Sequence, residues 1–472
     1  MLSCGHIAEL LPAPSFKRGL SVDTIKVYSA HLLITVLGFL AVAYAARPGL
    51  SVAVRRIIFV MAPATVLLAL AHFSVPKGAS VYNDFTLAYY PAGQAVLDGR
   101  DALAAVLKGG GFVNLPAMAW LFAPLALLSQ VNAIALFTLV GIAATVAGWS
   151  LLAEAADLDT KRAGLLFMLF AANGPIFYSI RMGNTSHVVL LILVLAMLLL
   201  RSGRQLLAGA LIGLAGIIKL PLLLLPAYFA LRGRWRVAFG SGAVVGSVVV
   251  LSVVLFDWQL LVQWYERCVE PFAEHPMAAY NVQSIHAALL RFNSGLDAVH
   301  LWEPQPLSSW AATTSMVLTF LLLTAAGVAV AKGRIWAKSS RLAHAGHRAD
   351  ELEFLLMLVL ALLLSPMSWV HYYCWLLIPA AFLLNARHHF QADRASIVMA
   401  WLGLGLASFP VVIPYFSHTE WREYFFRTAQ SHFLFGAILM FGALLRARLL
   451  LTPSEPVHGN LATPESQLAG PR

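Results

Sequence analysis

Apolar runs dominate this chain, and polar residues interrupt them only at short intervals. Runs approaching the roughly 20 residues that cross a bilayer as a helix lie at Tyr28–Ala46, Ile57–Phe73, Leu115–Leu128, Ala133–Leu152, Ala163–Ile180, Val188–Leu200 and Leu206–Leu231. They continue at Val237–Phe256, Ala311–Val330, Phe354–Trp369, Trp375–Leu384, Ala395–Tyr415 and Phe433–Leu445. Several are short or interrupted by proline. The pattern predicts an all-α polytopic transmembrane helical bundle of about eleven to thirteen helices. Residues 1–27 then form an N-terminal polar segment, 28–450 the membrane domain, and 451–472 a disordered cytoplasmic tail rich in Pro, Ser, Glu and Gly. No tandem repeat is visible.

Composition removes the alternatives to a membrane protein. Of 472 residues, 60% are hydrophobic and 11% charged, against about 25% charged in a soluble domain, and the mean hydropathy is +0.77. No polar stretch is long enough for a separate soluble domain. The net charge of +10 comes from basic residues clustered in short loops, which suits the cytoplasmic ends of membrane helices and not a nucleic-acid groove. Cys4, Cys268 and Cys374 have no metal-ligand spacing, and three cysteines make no disulfide framework. About twenty-five polar residues precede the first apolar run, so no cleavable signal is expected.

Basic clusters set the topology. The markers are Arg47/Arg55/Arg56, Arg201/Arg204, Arg232/Arg234/Arg236, Lys332/Arg334/Lys338/Arg341 and Arg446/Arg448. With Arg55 and Arg56 inside, the following helix delivers Asp84 to the exoplasmic face. The run Leu206–Leu231 has basic clusters at both ends, so it is expected to be a hairpin of two short helices turning near Lys219–Pro221. The same logic places Asp257–Trp310 and the break Ser365–Tyr373 on the exoplasmic face with Asp84. Alternate counting through Phe112–Arg204 leaves one crossing of unassigned direction.

Asp84 is the focus of this convergence. A carboxylate between two membrane segments is costly to desolvate, and it tends to face water, a cavity or a positive partner. Around it stands D-F-x-x-x-Y-Y-x-A-G-x-x-x-x-x-G, running from Asp84 through Tyr89, Tyr90 and Gly93 to Gly99, followed by Asn114-Leu115-Pro116. Further blocks are Gly183-Asn184-Thr185-Ser186, then Ala208-Gly209-x-x-x-Gly213 leading to Lys219-x-Pro221, then Asn281-x-Gln283-Ser284 with Arg291, and Ser365-Pro366-x-Ser368-Trp369-x-His371. In this order the blocks resemble glycosyltransferase family 87, the polyprenol-phosphate-mannose-dependent mannosyltransferase-like membrane proteins. The chain departs from that pattern at Asn114-Leu115, at Asn184 where the family has Gln, and at Tyr372 where some members have a second His.

The resemblance implies a GT-C bundle opening to the exoplasmic side of a bacterial inner (cytoplasmic) membrane. It implies transfer of a hexose, mannose by likeness, from a polyprenyl-phosphate donor to a lipid-linked or envelope-glycan acceptor hydroxyl. Asp84 is then the general base, while Lys219, Arg291 and His371 hold the departing phosphate. Tyr89, Tyr90, Asn184, Asn281, Gln283, Ser284, Ser368 and Trp369 are the candidates for the acceptor or sugar. No cofactor and no metal are expected, since the lipid-linked sugar is itself the substrate.

Plainer roles stand beside these. Lys219 can snorkel to a headgroup, Arg291 can meet anionic lipid, and His371 can be a packing histidine. Gly209 and Gly213 read first as a helix contact. Asn281, Gln283 and Ser284 can cap a helix, as can Asn184 and His187, and Trp258, Trp264, Tyr265, Trp302 and Trp310 read first as an interfacial belt, with stacking on acceptor sugars as the lesser alternative. A second class of function, a transporter or flippase of a lipid-linked sugar, also wants many helices and a cationic site. It fits less well, because the polar groups gather at one face and no repeated halves are visible.

Overall fold

The computed structural model describes residues 22–47, 49–73, 81–109, 112–294, 298–299, 301–337, 343–385, 390, 393–411 and 427–451. The expected tail, most of the N-terminal polar segment, and Lys338 and Arg341 lie outside the described residues. The chain is an all-α polytopic bundle. Its helices are α1 (Val22–Ala45), α2 (Val52–Phe73), α3 (Tyr90–Asp98), α4 (Arg100–Lys108), α5 (Gln130–Ala155), α6 (Thr160–Ala171) and α7 (Gly174–Met182). There follow α8 (Ser186–Arg201), α9 (Gln205–Ile218), α10 (Leu224–Leu231), α11 (Trp235–Phe256), α12 (Trp258–Cys268), α13 (Glu270–Glu274) and α14 (Ile285–Ser294). The last are α15 (Ser309–Ala337), α16 (Ala343–Leu364), α17 (Leu377–Leu384), α18 (Arg394–Ser408) and α19 (His432–Leu450).

Four of these, α5, α11, α19 and the Ser309–Lys332 part of α15, are long and apolar enough to cross a membrane. The pair α6 and α7, bent by 50° at the break between them, is long and apolar enough only when its two helices are taken together. Shorter apolar helices complete the bundle. Leu139, Val254 and Phe320 on α5, α11 and α15 are exposed, as side chains facing lipid must be. By contrast every residue from Leu352 to Leu363 of α16 is buried, and a helix apolar around its whole circumference belongs at the centre.

The expected crossing at Leu115–Leu128 is not a span. Pro116 and Pro124 break it into a 3-10 helix, Pro116–Leu121, and a single helical turn, Ala123–Ala126. Removing that crossing resolves the count through this region. Arg201 at the end of α8 donates to the Ala155 carbonyl at the end of α5, whereas the Tyr82 N–H donates to the Arg181 carbonyl at 2.7 Å, so α5 and α8 finish at one end and α7 finishes beside Asp84.

The Leu206–Leu231 run is a hairpin. Gly209 and Gly213 of α9 meet the backbone of Val237 and Ser241 near the start of α11 so closely that a Cβ would lie 2.1 and 2.6 Å from their carbonyl oxygens. Ser241 Oγ donates to the Gly209 carbonyl at 2.7 Å. Both helices therefore run the same way, and α10 returns between them. Glycine is required there because only a bare backbone allows this approach.

An ionic knot ties one end. Glu353 of α16, fully buried, accepts from Arg232 at 2.8 Å, from Arg448 at 2.8 Å and from the Tyr228 hydroxyl at 2.6 Å. Arg201 pairs with Glu351 at 2.5 Å, and Arg234 pairs with Asp350. Thus three of the basic clusters that mark one face in the sequence, those at Arg201, Arg232/Arg234 and Arg448, meet acids on one helix. Lys219 and Ser365, at the far ends of α9 and α16, line a cavity at the opposite end.

Candidate active site

The cavity has a volume of about 610 Å³, within the range of sites for small organic ligands. Its lining is mixed. Leu87, Val113, Ile217, Leu220 and Leu224 are apolar, while Asp84, Asn184, Lys219, Asn281, Ser365 and His371 supply polar groups.

Asp84 is delivered by an irregular segment. Tyr82 has φ +60°, and residues Phe85–Tyr89 form a π-helical turn directly after Asp84, a distortion that recurs at functional sites. This segment is pressed onto the turn after α7. Gly183 has φ +66°, and a Cβ there would lie 2.7 Å from that of Phe85, so glycine serves both the conformation and the contact. The same turn presents Asn184.

Asn184 links the two opposite charges. Its Nδ2 donates to Asp84 Oδ2 at 2.6 Å, and its Oδ1 accepts from Lys219 Nζ at 3.1 Å. The orientation of the amide is fixed by Ser186, whose N–H and hydroxyl both donate to the same Oδ1, at 3.0 and 2.9 Å. Asp84 and Lys219 make no direct ion pair within the cavity; one amide lies between them. Burial pushes the Asp84 carboxyl above its ordinary pKa, opposed by the Asn184 hydrogen bond and the Lys219 charge. Asp84 Oδ1 makes no hydrogen bond among the described residues, so one carboxylate oxygen is available to a ligand.

Lys219 is extended, with φ −139° and ψ +94°, where α9 gives way to the 3-10 turn Leu220–Leu223. Pro221 cannot continue the helix, and the ammonium is drawn inward over the Tyr372 ring, 5.0 Å from its centroid. Asn114 supports this break by donating to the Ile218 carbonyl at 3.0 Å. Lys219 is buried, so it does not snorkel.

The opposite wall comes from pairing two irregular segments. Gln283 N–H donates to the Ser368 carbonyl at 2.6 Å and Val370 N–H to the Asn281 carbonyl at 2.9 Å, around an antiparallel bridge between Val282 and Trp369. This sets Asn281 beside His371. Asn281 Nδ2 donates to the Tyr178 hydroxyl at 3.2 Å, while Asn281 Oδ1 and His371 Nδ1 are buried without a partner. Orphaned buried polar atoms are uncommon, and both belong to residues lining the cavity.

Of the residues expected from sequence, Asp84, Tyr89, Asn184, Lys219, Asn281, Trp369 and His371 line the cavity. The others do not. Arg291, expected at the donor phosphate, is fully buried away from it, with Nη1 donating to the carbonyls of Ala278, Ala279 and Val282 and Nη2 to Ser431 Oγ. Gln283 bridges the carbonyls of Tyr280 and Gln430. Ser284 caps α14 through the Ala287 N–H, and Ser368 Oγ satisfies the Leu362 carbonyl at the end of α16. Tyr90 donates to the Leu128 carbonyl. These are framework roles. Tyr178, Asn114 and Trp302 line the cavity without having been assigned to it; Asn114 stood in the block Asn114-Leu115-Pro116 and Trp302 was an aromatic in a polar loop, whereas Tyr178 carried no signal. Among the described residues no group of three or more His, Cys, Asp or Glu side chains gathers as a metal would require.

Fold and site together define a polytopic membrane protein with a charged, half-apolar cavity at one end of its bundle. The family model for glycosyltransferase family 87 matches residues 112–366, more than half of the chain, and the chain belongs to that family. It is therefore a membrane glycosyltransferase, and the transporter reading is set aside. Asp84 lies upstream of the matched segment and His371 beyond it, whereas Asn184, Lys219 and Asn281 fall inside. No curated protein and no solved structure matches the chain.

Proposed function

We propose that this enzyme transfers a hexose, mannose by family likeness, from a polyprenyl-phosphate carrier to a hydroxyl of a lipid-linked or envelope glycan. The carrying observation is the Asp84–Asn184–Lys219 chain inside a cavity that is otherwise lined largely by apolar side chains. Asp84 Oδ1 takes the proton of the acceptor hydroxyl as its oxygen bonds to the anomeric carbon. The bond from that carbon to the phosphate oxygen breaks, and polyprenyl phosphate leaves with the electron pair. Lys219 and His371 hold the charge that develops on the phosphate, and the apolar lining takes the first isoprenoid units. Attack from the face opposite the leaving group inverts the anomeric centre. No metal enters this scheme. The site faces the exterior of the cytoplasmic membrane, opposite the ionic knot.

The test supplies radiolabelled polyprenyl-phosphate mannose and a membrane extract to the purified protein in lipid. Label is expected to reach an acceptor with the wild type and not with Asp84→Asn, both proteins inserting and unfolding alike. Transfer by Asp84→Asn at the wild-type rate removes Asp84 from the mechanism, and no transfer from any polyprenyl-linked sugar removes the donor.

A further inference from the structure

Four rings form a row along one wall of the cavity. Trp302 and Trp369 have centroids 6.2 Å apart and planes 25° apart, Trp369 and His371 are 6.2 Å and 6° apart, and His371 and Tyr178 are 6.3 Å and 10° apart. All four line the cavity. Near-parallel rings with centroids 6.2–6.3 Å apart are displaced sideways, by about 5 Å where their planes lie at the roughly 3.5 Å of face-to-face contact. The row is a staircase whose outer rings, Trp302 and Trp369, show part of their surface to the cavity. Exposure falls along it, from the half-buried Trp302 and Trp369 to the buried His371 and Tyr178, and Tyr178 lies close enough to Asp84 to feel its charge.

We infer that this staircase is a binding track for the acceptor's sugars, so that the enzyme elongates an oligosaccharide of two or more residues and not a lone alcohol or a single sugar. The inference rests on the proposed transfer to a glycan and adds the acceptor's length and its contacts. A sideways step of about 5 Å is close to the length of one pyranose unit, and the apolar C–H face of a pyranose packs against an aromatic face. Purely apolar chains would leave the polar atoms beside the row unsatisfied. Asn281 Oδ1 and His371 Nδ1 lack a partner on side chains that line the cavity, so these side chains gain hydrogen bonds by turning toward hydroxyls on sugars seated there. The sugar over His371 and Tyr178 would present its hydroxyl toward Asp84, and the preceding sugars would lie over Trp369 and Trp302. Tyr280, edge-on to Trp302 at 5.8 Å, and Phe272 and Met277, packed in the same small cluster, hold the outer step in place.

The test needs no donor. Methyl mannoside, mannobiose and mannotriose, with the matching gluco series, are titrated into the full-length protein in nanodiscs, and binding is read by saturation-transfer NMR and tryptophan fluorescence. Affinity is expected to rise with length in at least one series. Trp302→Ala and Trp369→Ala are expected to remove about tenfold of that gain while leaving the monosaccharide unchanged, with Trp302→Phe and Trp369→Phe retaining most of it. Equal affinity for one and three sugars in both series, or alanine variants that weaken every length equally, would overturn the track. A wild type that binds longer glycans tightly yet moves no label from a polyprenyl donor would refute the proposed donor and leave the track standing.

Discussion

Replacing Asn184 by Ala removes the single amide between base and cation. Two charge-assisted bonds go with it, the 2.6 Å donation to Asp84 and the 3.1 Å acceptance from Lys219. A hydrogen bond to a charged group contributes about 1.5–3 kcal/mol, and water entering the gap recovers part of each, so the loss comes to about 3 kcal/mol, or roughly a hundredfold in kcat/KM. The pH profile supplies the distinguishing sign. A base must be ionised, and burial already raises the Asp84 carboxyl, so activity falls with acid at a pH above the ordinary carboxylate range. Asn184 opposes that rise by donating to the ionised form. Its removal is expected to move the acid limb to higher pH, whereas a scaffold residue would lower the rate without moving the limb. The assay is kcat/KM for sugar transfer against pH in nanodiscs, with thermal unfolding as the control for folding. Activity within about threefold of the wild type, with the acid limb unmoved, would refute the reasoning.

Two further substitutions separate framework from chemistry. Glu353→Gln leaves Arg232 and Arg448 facing a neutral amide, and breaking a buried pair costs about 3–5 kcal/mol, so the unfolding midpoint in detergent is expected to drop clearly; an unchanged midpoint contradicts the knot's role. Arg291→Lys loses the fork that gathers three carbonyls and Ser431, a loss of about 2–3 kcal/mol, and is expected to lower stability and kcat with the donor KM unmoved. A raised donor KM in a fully stable Arg291→Lys protein would return Arg291 to the phosphate.

What could be read from sequence follows the range of each interaction. The hairpin at Lys219 was legible because hydropathy and flanking arginines are local signals, and the alternation of basic ends needs no knowledge of packing. The run Leu115–Leu128 misled because its composition is that of a span, and only the positions of Pro116 and Pro124 distinguish a re-entrant 3-10 segment. Asn184 was named from sequence as a sugar contact, and its bonds to Asp84 and Lys219 were not legible because those partners are distant in sequence. Arg291 shows the converse. An arginine in a polar loop near a membrane suggests a phosphate, and nothing local reveals that its Nη1 is engaged by carbonyls of the preceding loop and its Nη2 by Ser431. Aromatic stacking across Tyr178, Trp302 and Trp369 is wholly non-local and was invisible.

The knot at Glu353 gives the bundle a fulcrum. Glu353 and Ser365 lie about 18 Å apart along one helix at the α-helical rise, so helices clamped by arginines at one extremity act as long levers at the other. A tilt of about 6° about the clamp sweeps the far tip by roughly 2 Å over that arm. Small rotations thus suffice to widen the cavity end between α10 and α16, whose Leu224 and Leu364 line it, with the clamped extremity almost stationary. Hydrogen exchange should be slowest around Glu353 and quicken steadily toward Lys219.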